Sequence, residues 1–302
     1  MRALALAAAL ALAGCGGETA PVPGPGPAAG PPAADASRVV VIGGPLAETV
    51  YALGLGDAVV GADRSSLYPA DVLAKPRLDY FRQTSAEGVL SLGPTLVLAT
   101  DEAGPPGVLD QIRAAGVPVV SVASPETVGG ALARVRELGR VLGRPAQADS
   151  VVAQMERQLA QAEALRPAVP PRALFVYARG AGLVQVFGAG TAADVVLGLA
   201  GAVNAAGDVD GNVPLTAEAV AAARPDVVVI PSRSLESLGG AEGLFAQPGL
   251  AQTPAGAARR VVAVDDALLL GLGPRMGEGV AALARGLAET TGETSPAATA
   301  SR

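Results

Sequence analysis

The segment from Tyr68 to Glu87 carries the densest chemistry in the chain: Tyr68-Pro69, then Lys75-Pro76-Arg77-Leu78-Asp79-Tyr80-Phe81-Arg82-Gln83-Thr84-Ser85-Ala86-Glu87. It follows an apolar run and precedes a helix-like stretch, so it reads as a loop on the rim of a lobe, where binding residues concentrate. Tyr80 and Arg82 are two apart, which in an extended loop turns both side chains to one side. A phenol ionises near pH ~10 and is a poor metal ligand while neutral. A guanidinium beside it favours the phenolate, whose oxygen suits ferric iron. From spacing alone, the plainer reading of a surface aromatic stacked by a cation is favoured.

Other chemistries are excluded by composition. The 302 residues include no His, which removes His-ligated zinc, copper or manganese capture and every Ser-His or Cys-His nucleophilic arrangement. Neither Gly-x-Ser-x-Gly nor the phosphate-cradling Gly-x-x-x-x-Gly-Lys occurs. Asp265-Asp266 and Asp208/Asp210 are the carboxylate pairs on which an extracytoplasmic carboxylate-dependent enzyme would rest. Acids near strand ends more often cap helices or close turns, so catalysis is the weaker reading. A net charge of −6 without a basic run disfavours a nucleic-acid partner.

The N-terminus reads as an address. Residues 1–14 have one positive charge at Arg2 and an Ala/Leu run too short to span a bilayer, as in a secretory signal. The run ends in Leu12-Ala13-Gly14-Cys15, which resembles a bacterial lipobox, and Cys15 is the only cysteine. Lipidated Cys15 would hold the protein outside the cytoplasmic membrane by its acyl chains, in the periplasm where the cell has an outer membrane. From Gly16 to Ser37 half of the residues are Gly or Pro, a composition that cannot bury enough apolar surface to offset its ordering entropy. Residues 15–37 are expected to be a disordered tether, and 291–302 a disordered tail.

Between them, apolar runs alternate with helix-like stretches. Val39–Ile42, Ala58–Gly61, Leu96–Ala99 and Val117–Val122 read as buried parallel strands of a first α/β lobe, residues 38–122. Leu174–Tyr177, Val184–Phe187, Val227–Ile230 and Val261–Val264 do the same for a second, residues 168–290, with helices at Thr191–Ala200 and Met276–Glu289. Residues 123–167 hold the longest helical periodicity, with Leu132, Val135, Leu138 and Leu142 on one stripe. Pro145 interrupts it, so either two helices or one bent helix is expected to connect the lobes. Ser85-Ala86-Glu87 before Leu96-Val97-Leu98 resembles Thr216-Ala217-Glu218 before Val227-Val228-Val229, a local hint of internal duplication. Two such lobes joined by helix and tethered outside the cell fit, by analogy, a ligand-binding protein of an uptake system with its site in the cleft.

The stretch Asp79-Tyr80-Phe81-Arg82-Gln83-Thr84-Ser85-Ala86-Glu87-Gly88-Val89-Leu90-Ser91-Leu92 resembles the haem-binding substrate-binding proteins of bacterial haemin ABC importers. So do Gly190-Thr191-Ala192-Ala193-Asp194 with Leu199-Ala200-Gly201, and Leu268-Leu269-Leu270-Gly271-Leu272-Gly273-Pro274-Arg275. The resemblance is collinear over about residues 38–290. It implies a class III periplasmic binding protein: two Rossmann-like lobes with short parallel sheets, bridged by a long helix with little hinge motion. One haem b would lie in the cleft, its ferric iron held by the Tyr80 phenolate, with Arg82 hydrogen-bonded to that oxygen. Relatives that add a His from the second lobe have no counterpart in this chain, so a five-coordinate or water-completed iron is expected. Arg179, Arg233 and Arg275 are candidate cations for the propionates, and Tyr68, Phe81 and aliphatic residues candidates to pack the porphyrin. A corrinoid or ferric siderophore is the same-fold alternative.

The same superfamily docks one Glu from each lobe onto Arg pockets of a permease dimer driven by its ATPase. Glu87 and Glu218 hold the matching positions. Thr84-x-x-Glu87 also reads as a capping box, a role compatible with docking.

Overall fold

Val39–Ile42 (β1) is four consecutive apolar residues with no exposed surface in the computed structural model, which describes residues 34–290 and Gly292. The expected signal segment, Cys15, most of the tether and most of the tail lie outside the described residues. Strands β2 (Val59–Ala62), β3 (Leu96–Thr100) and β4 (Val119–Val122) complete an all-parallel sheet in the order β2-β1-β3-β4. Helices α1 (Gly44–Ala52), α2 (Ala86–Leu90) and α3 (Val108–Ala114) lie between them in the chain. Alternate strand residues serve opposite faces: Val39, Val41, Leu96 and Leu98 pack with Val50 of α1, while Val40, Ile42, Val97 and Ala99 pack with Val89 and Ile112. Burial on both faces is why these strands read as unbroken apolar runs.

The folded region starts a few residues earlier than composition suggests. The Ala34 N–H donates to the Val141 carbonyl, 3.0 Å, and Thr95 Oγ1 donates to the Asp35 carbonyl, 2.9 Å. Val141 ends a helix, where carbonyls lack intrahelical partners, so the chain entering there is held despite its small residues.

The connection between lobes is two helices, α4 (Val128–Val141) and α5 (Pro145–Glu163). Thr127 Oγ1 caps α4 by accepting from the Gly130 N–H. Pro145 is the first residue of α5, where its missing N–H costs nothing and its fixed φ suits the helix start. The periodic stripe becomes the buried face of both helices: Ala131, Val135 and Leu138, then Ala148, Val152, Met155 and Ala162.

The second lobe begins with β5 (Arg172–Ala178) and β6 (Val184–Phe187), then α6 (Ala192–Leu199), β7 (Val203–Asn204), β8 (Asn212–Pro214), α7 (Ala217–Ala223) and β9 (Val227–Pro231). Helices α8 (Ser232–Ser237), α9 (Gly240–Phe245) and α10 (Pro254–Ala257) lead to β10 (Val261–Val264), α11 (Asp266–Leu269) and α12 (Met276–Thr290). The parallel pairings β7-β5-β9-β10 repeat β2-β1-β3-β4 in order, which supports the duplication hinted at in the sequence. Val184–Phe187 departs from the parallel expectation. It pairs antiparallel with β5, and β8 pairs antiparallel with β6, so the second sheet is mixed. Five residues separate β5 from β6, too few for a parallel crossover. One apolar cluster runs from Val41 and Leu98 through Met155 of α5 to Phe175, Val229 and Leu283 of α12, so both lobes share a core through the connecting helices.

Candidate ligand site between the lobes

The loop that carries Tyr80 leaves the C-terminal end of β2, the side of a parallel sheet where ligands bind. Asp63 anchors its start. Asp63 is fully buried; Oδ1 accepts from the Gly43 N–H and the Ser66 hydroxyl, both 2.9 Å, and Oδ2 from the Ser65 N–H, 2.9 Å. Gly43 meets that carboxylate with φ of 126°, a conformation that requires glycine. Farther along, Tyr80 immediately precedes a 3₁₀ turn, Phe81–Gln83. Buried Thr84 fixes the turn: its hydroxyl donates to the Phe81 carbonyl, 2.9 Å, and its N–H to the Gly104 carbonyl, 2.6 Å. The helix cap falls to Ser85, whose hydroxyl accepts from Gly88 N–H, so the expected capping box at Thr84 is not formed.

The turn separates Tyr80 from Arg82. Residues two apart point the same way along an extended chain, but the 3₁₀ rotation turns the second away. Arg82 pairs with Glu102 and lies 4.9 Å over the Phe81 ring. The guanidinium on Tyr80 comes from the other lobe: Arg179, just after β5, lies 4.8 Å from the centre of the Tyr80 ring. Arg179 Nε donates to the Tyr177 hydroxyl, 2.7 Å. Tyr177 is backed by Phe187, ring centres 6.1 Å apart, and Phe187 by Phe175, 5.4 Å. The Phe81 ring backs Tyr80 at 4.4 Å.

Tyr80 is half-buried, and burial pushes its phenol above the ordinary value near 10; Arg179 pulls downward, and Arg82 does so least of the charges that act on it. The phenol is therefore neutral at pH 7, against the expectation that a neighbouring guanidinium would favour phenolate. A bound cation is needed to draw off its proton.

A second contact welds the lobes. Glu48 of α1, 6% exposed, accepts from Arg275 Nη2 at 2.9 Å and Nε at 3.2 Å. Arg275 also covers the Tyr68 ring, 3.5 Å to its centre. Arg134 of α4 donates to the Gly271 and Leu272 carbonyls, 2.9 and 2.8 Å. Leu272 sits at φ of 45°, a left-handed conformation costly for a branched side chain, which those two bonds help hold. A Cβ on Gly271 would collide with the Pro45 ring of α1. The Leu268–Arg275 segment is thus the wedge at the lobe junction, and Arg275 serves there; two of its donors are taken, which removes it as a free cation for a ligand carboxylate. Arg134 is nine-tenths buried, and that burial lowers its guanidinium to about 10, leaving it charged at neutral pH.

Arg233, near the start of α8, keeps an exposed guanidinium while its N–H donates to Asp266 Oδ2, 3.1 Å. Asp265 caps α11 through the Ala267 N–H, 2.9 Å. Both acids are thus helix and loop caps. Glu87 and Glu218 are exposed second residues of α2 and α7, each two positions after its Ser or Thr cap, with no ion-pair partner among the described residues. An open cavity of about 580 Å³ beside Arg82, lined also by Asp101, Gly104 and Arg113, belongs to the first lobe alone and does not include Tyr80.

Nothing in the sequence pairs Glu48 with Arg275 or Arg134 with the Gly271 and Leu272 carbonyls, although both residues carry a signal. Each is a charge on the apolar face of its helix, which is rare unless paired. The contacts of Arg179 with Tyr80 and Tyr177 had no local signal beyond the Tyr-x-Arg spacing of 177 and 179.

Two Rossmann-like lobes, joined by packed helices and meeting at their strand C-terminal ends, define a class III solute-binding protein. The family described as "Periplasmic binding protein" matches residues 39–268, and the chain belongs to it. Such proteins are non-enzymatic, extracytoplasmic components of transporters. The chain is similar to the periplasmic heme-binding protein RhuT from Roseiflexus sp. RS-1, at 43% identity and TM-score 0.81 over 84% of this chain and 98% of that one. It is similar to the periplasmic heme-binding protein BhuT, solved with two hemes, at 42% identity and TM-score 0.78 over the same shares. An uncharacterized ABC transporter substrate-binding lipoprotein of Bacillus subtilis, YvrC, is 27% identical over 80% of this chain and 76% of its own length. No helix among the described residues is long and apolar enough to cross a membrane.

Proposed function

We propose that this protein binds haem outside the cytoplasmic membrane and delivers it to an ABC permease. The observation that carries the reading is the half-buried phenol of Tyr80, held on a first-lobe loop and facing the second lobe in a chain 43% identical to a heme-binding protein. On this reading Tyr80 gives up its proton to become the oxygen ligand of ferric iron, as the metal's charge offsets the burial penalty. Phe81 backs the ligand ring, and Arg233, with its exposed guanidinium, meets a propionate. Tyr68 contributes its ring at the rim, held flat by Arg275. With no His in the chain, one haem is bound and Tyr80 alone supplies a protein ligand to iron.

Glu87 and Glu218 dock the two lobes onto basic pockets of the permease. Their exposure at equivalent helix starts in duplicated lobes, free of ion-pair partners among the described residues, supports that role. The lipobox-like Leu12-Ala13-Gly14-Cys15 would anchor the protein to the membrane through lipidated Cys15.

The test is a titration of the purified protein with ferric haem, cyanocobalamin and a ferric siderophore, read by absorbance. Saturable one-to-one binding of haem that excess corrinoid does not displace is expected. Tighter binding of the corrinoid or siderophore would move the function to the same-fold alternative.

A further inference from the structure

The sequence has no basic run, yet the fold assembles a basic edge. Arg172 opens β5, Arg224 follows α7 just before β9, and Arg259 and Arg260 precede β10. These three strands are parallel neighbours, so the four arginines gather where the strands of the second sheet begin. The backbone ties them together: the Asp226 N–H donates to the Arg172 carbonyl, 2.8 Å, and the Val228 N–H to the Arg260 carbonyl, 3.0 Å. Arg172, Arg224 and Arg259 are exposed and Arg260 is half-buried. None of the four has an ion-pair partner among the described residues. The acid beside them, Asp226, accepts from the Arg172 N–H at 3.0 Å. A chain of net charge −6 thus carries a positive edge.

Two of these arginines stand at backbone positions that suit glycine. The φ angle is 43° at Arg224 and 51° at Arg259, a conformation that glycine adopts freely and a residue with a Cβ only at a cost. A cation near a helix C-terminus recovers part of that cost, but α7 and α10 have only seven and four residues. The edge also lies away from the cleft. Arg179, which meets Tyr80, follows the far end of β5, roughly 20 Å along the strand from Arg172.

We propose that this edge is a contact surface for anionic phospholipid headgroups, on which the tethered protein rests with the cleft end of its second lobe turned away from the bilayer. The tether expected from Cys15 supplies proximity, and the arginines supply orientation. An arginine near an anionic surface is worth about fivefold in partition, so the set orients a tethered chain without firmly holding an untethered one. The bilayer is the anionic surface that a chain anchored by its own lipid always has within reach. Glu218 lies in the first turn of α7 and Arg224 caps its end, so lipid contact and permease docking engage opposite ends of one helix and alternate.

The test is cosedimentation of the full chain with vesicles of phosphatidylcholine alone and of equal parts phosphatidylcholine and phosphatidylglycerol. The edge variant is Arg224→Gly, Arg259→Gly, Arg260→Gln; Arg172 stays because its guanidinium holds the Ala223 and Ala205 carbonyls. The control Arg140→Gln, Arg144→Gln, Arg157→Gln makes the same change in net charge at exposed arginines on and between α4 and α5. All three proteins share residues 1–37, so differences among them read the folded region. Wild type and control are expected to prefer the anionic vesicles, and the edge variant to lose that preference by about 30–100-fold. The edge variant should melt no lower than wild type, because glycine suits both left-handed positions. Equal preference in the edge variant and wild type would overturn the proposal, as would an equal loss in the control. A preference that persists at about 1 M salt, where charges are screened beyond roughly 3 Å, would also overturn it. Haem affinity is expected to be the same in all three proteins, so a wild type that binds no haem would sink the functional reading alone.

Discussion

Replacing Arg275 by Met would expose how far the lobe junction depends on one ion pair. The substitution keeps an unbranched side chain over Tyr68 but leaves the Glu48 carboxylate, 6% exposed, without either of its bonds from Arg275. Removing one partner of a buried pair costs about 3–5 kcal/mol. Arg275 keeps 17% of its side-chain surface, so the lower end, about 3 kcal/mol, is expected. For a folded region of this size that is roughly 6–12 °C in melting temperature. The double variant Glu48→Gln, Arg275→Met removes the stranded charge and should recover at least half of the loss, since neutral replacement of a buried pair is often nearly neutral. Urea unfolding of the wild type, both singles and the double gives the coupling energy directly. Additive single effects, or a loss below about 1 kcal/mol in Arg275→Met, would refute the view that this pair welds the lobes.

The same variant carries a pH signature. Burial already holds the Glu48 carboxyl above its ordinary 4.5, and Arg275 pulls it back. Without Arg275 the folded value rises further, so the folded state holds a proton that the unfolded chain has released. Stability of Arg275→Met therefore falls as pH rises from 4.5 through the folded value, and its deficit against wild type should be larger at pH 8 than at pH 5. At the permease, Glu87→Arg with Glu218→Arg should lower stimulation of ATPase activity by about tenfold while haem affinity stays unchanged. Joint loss of both properties would indicate misfolding instead of lost docking.

What could be read from the sequence was what local composition encodes. Val39–Ile42 and Val227–Ile230 are strands buried on both faces, and no polar residue interrupts them. Pro145 marked a break in the helical run, because its ring clashes with a continuing helix, and the structure shows two helices where one bent helix was the alternative. The failures were all questions of direction or of distant partners. Val184–Phe187 has strand composition, but its antiparallel pairing is set by the length of the turn before it. Tyr80 and Arg82 have the right types at a tempting spacing, yet a three-residue 3₁₀ turn sends one to the cleft and the other to Glu102. Arg275 belonged to a recognisable segment, but its partner Glu48 lies 227 positions away, and periodicity carries no information at that range. Tyr177 and Arg179 repeat the Tyr-x-Arg spacing within a strand end, where an extended chain does bring the two together, as their hydrogen bond demonstrates.

The central claim is that the Tyr80 oxygen grips ferric iron. Absorbance of the wild type and Tyr80→Phe, each saturated with haemin, addresses it most directly. The account predicts a phenolate-to-iron charge-transfer band in the wild type that is absent from Tyr80→Phe, together with much weaker haem retention. An identical spectrum and affinity in the two proteins would contradict it.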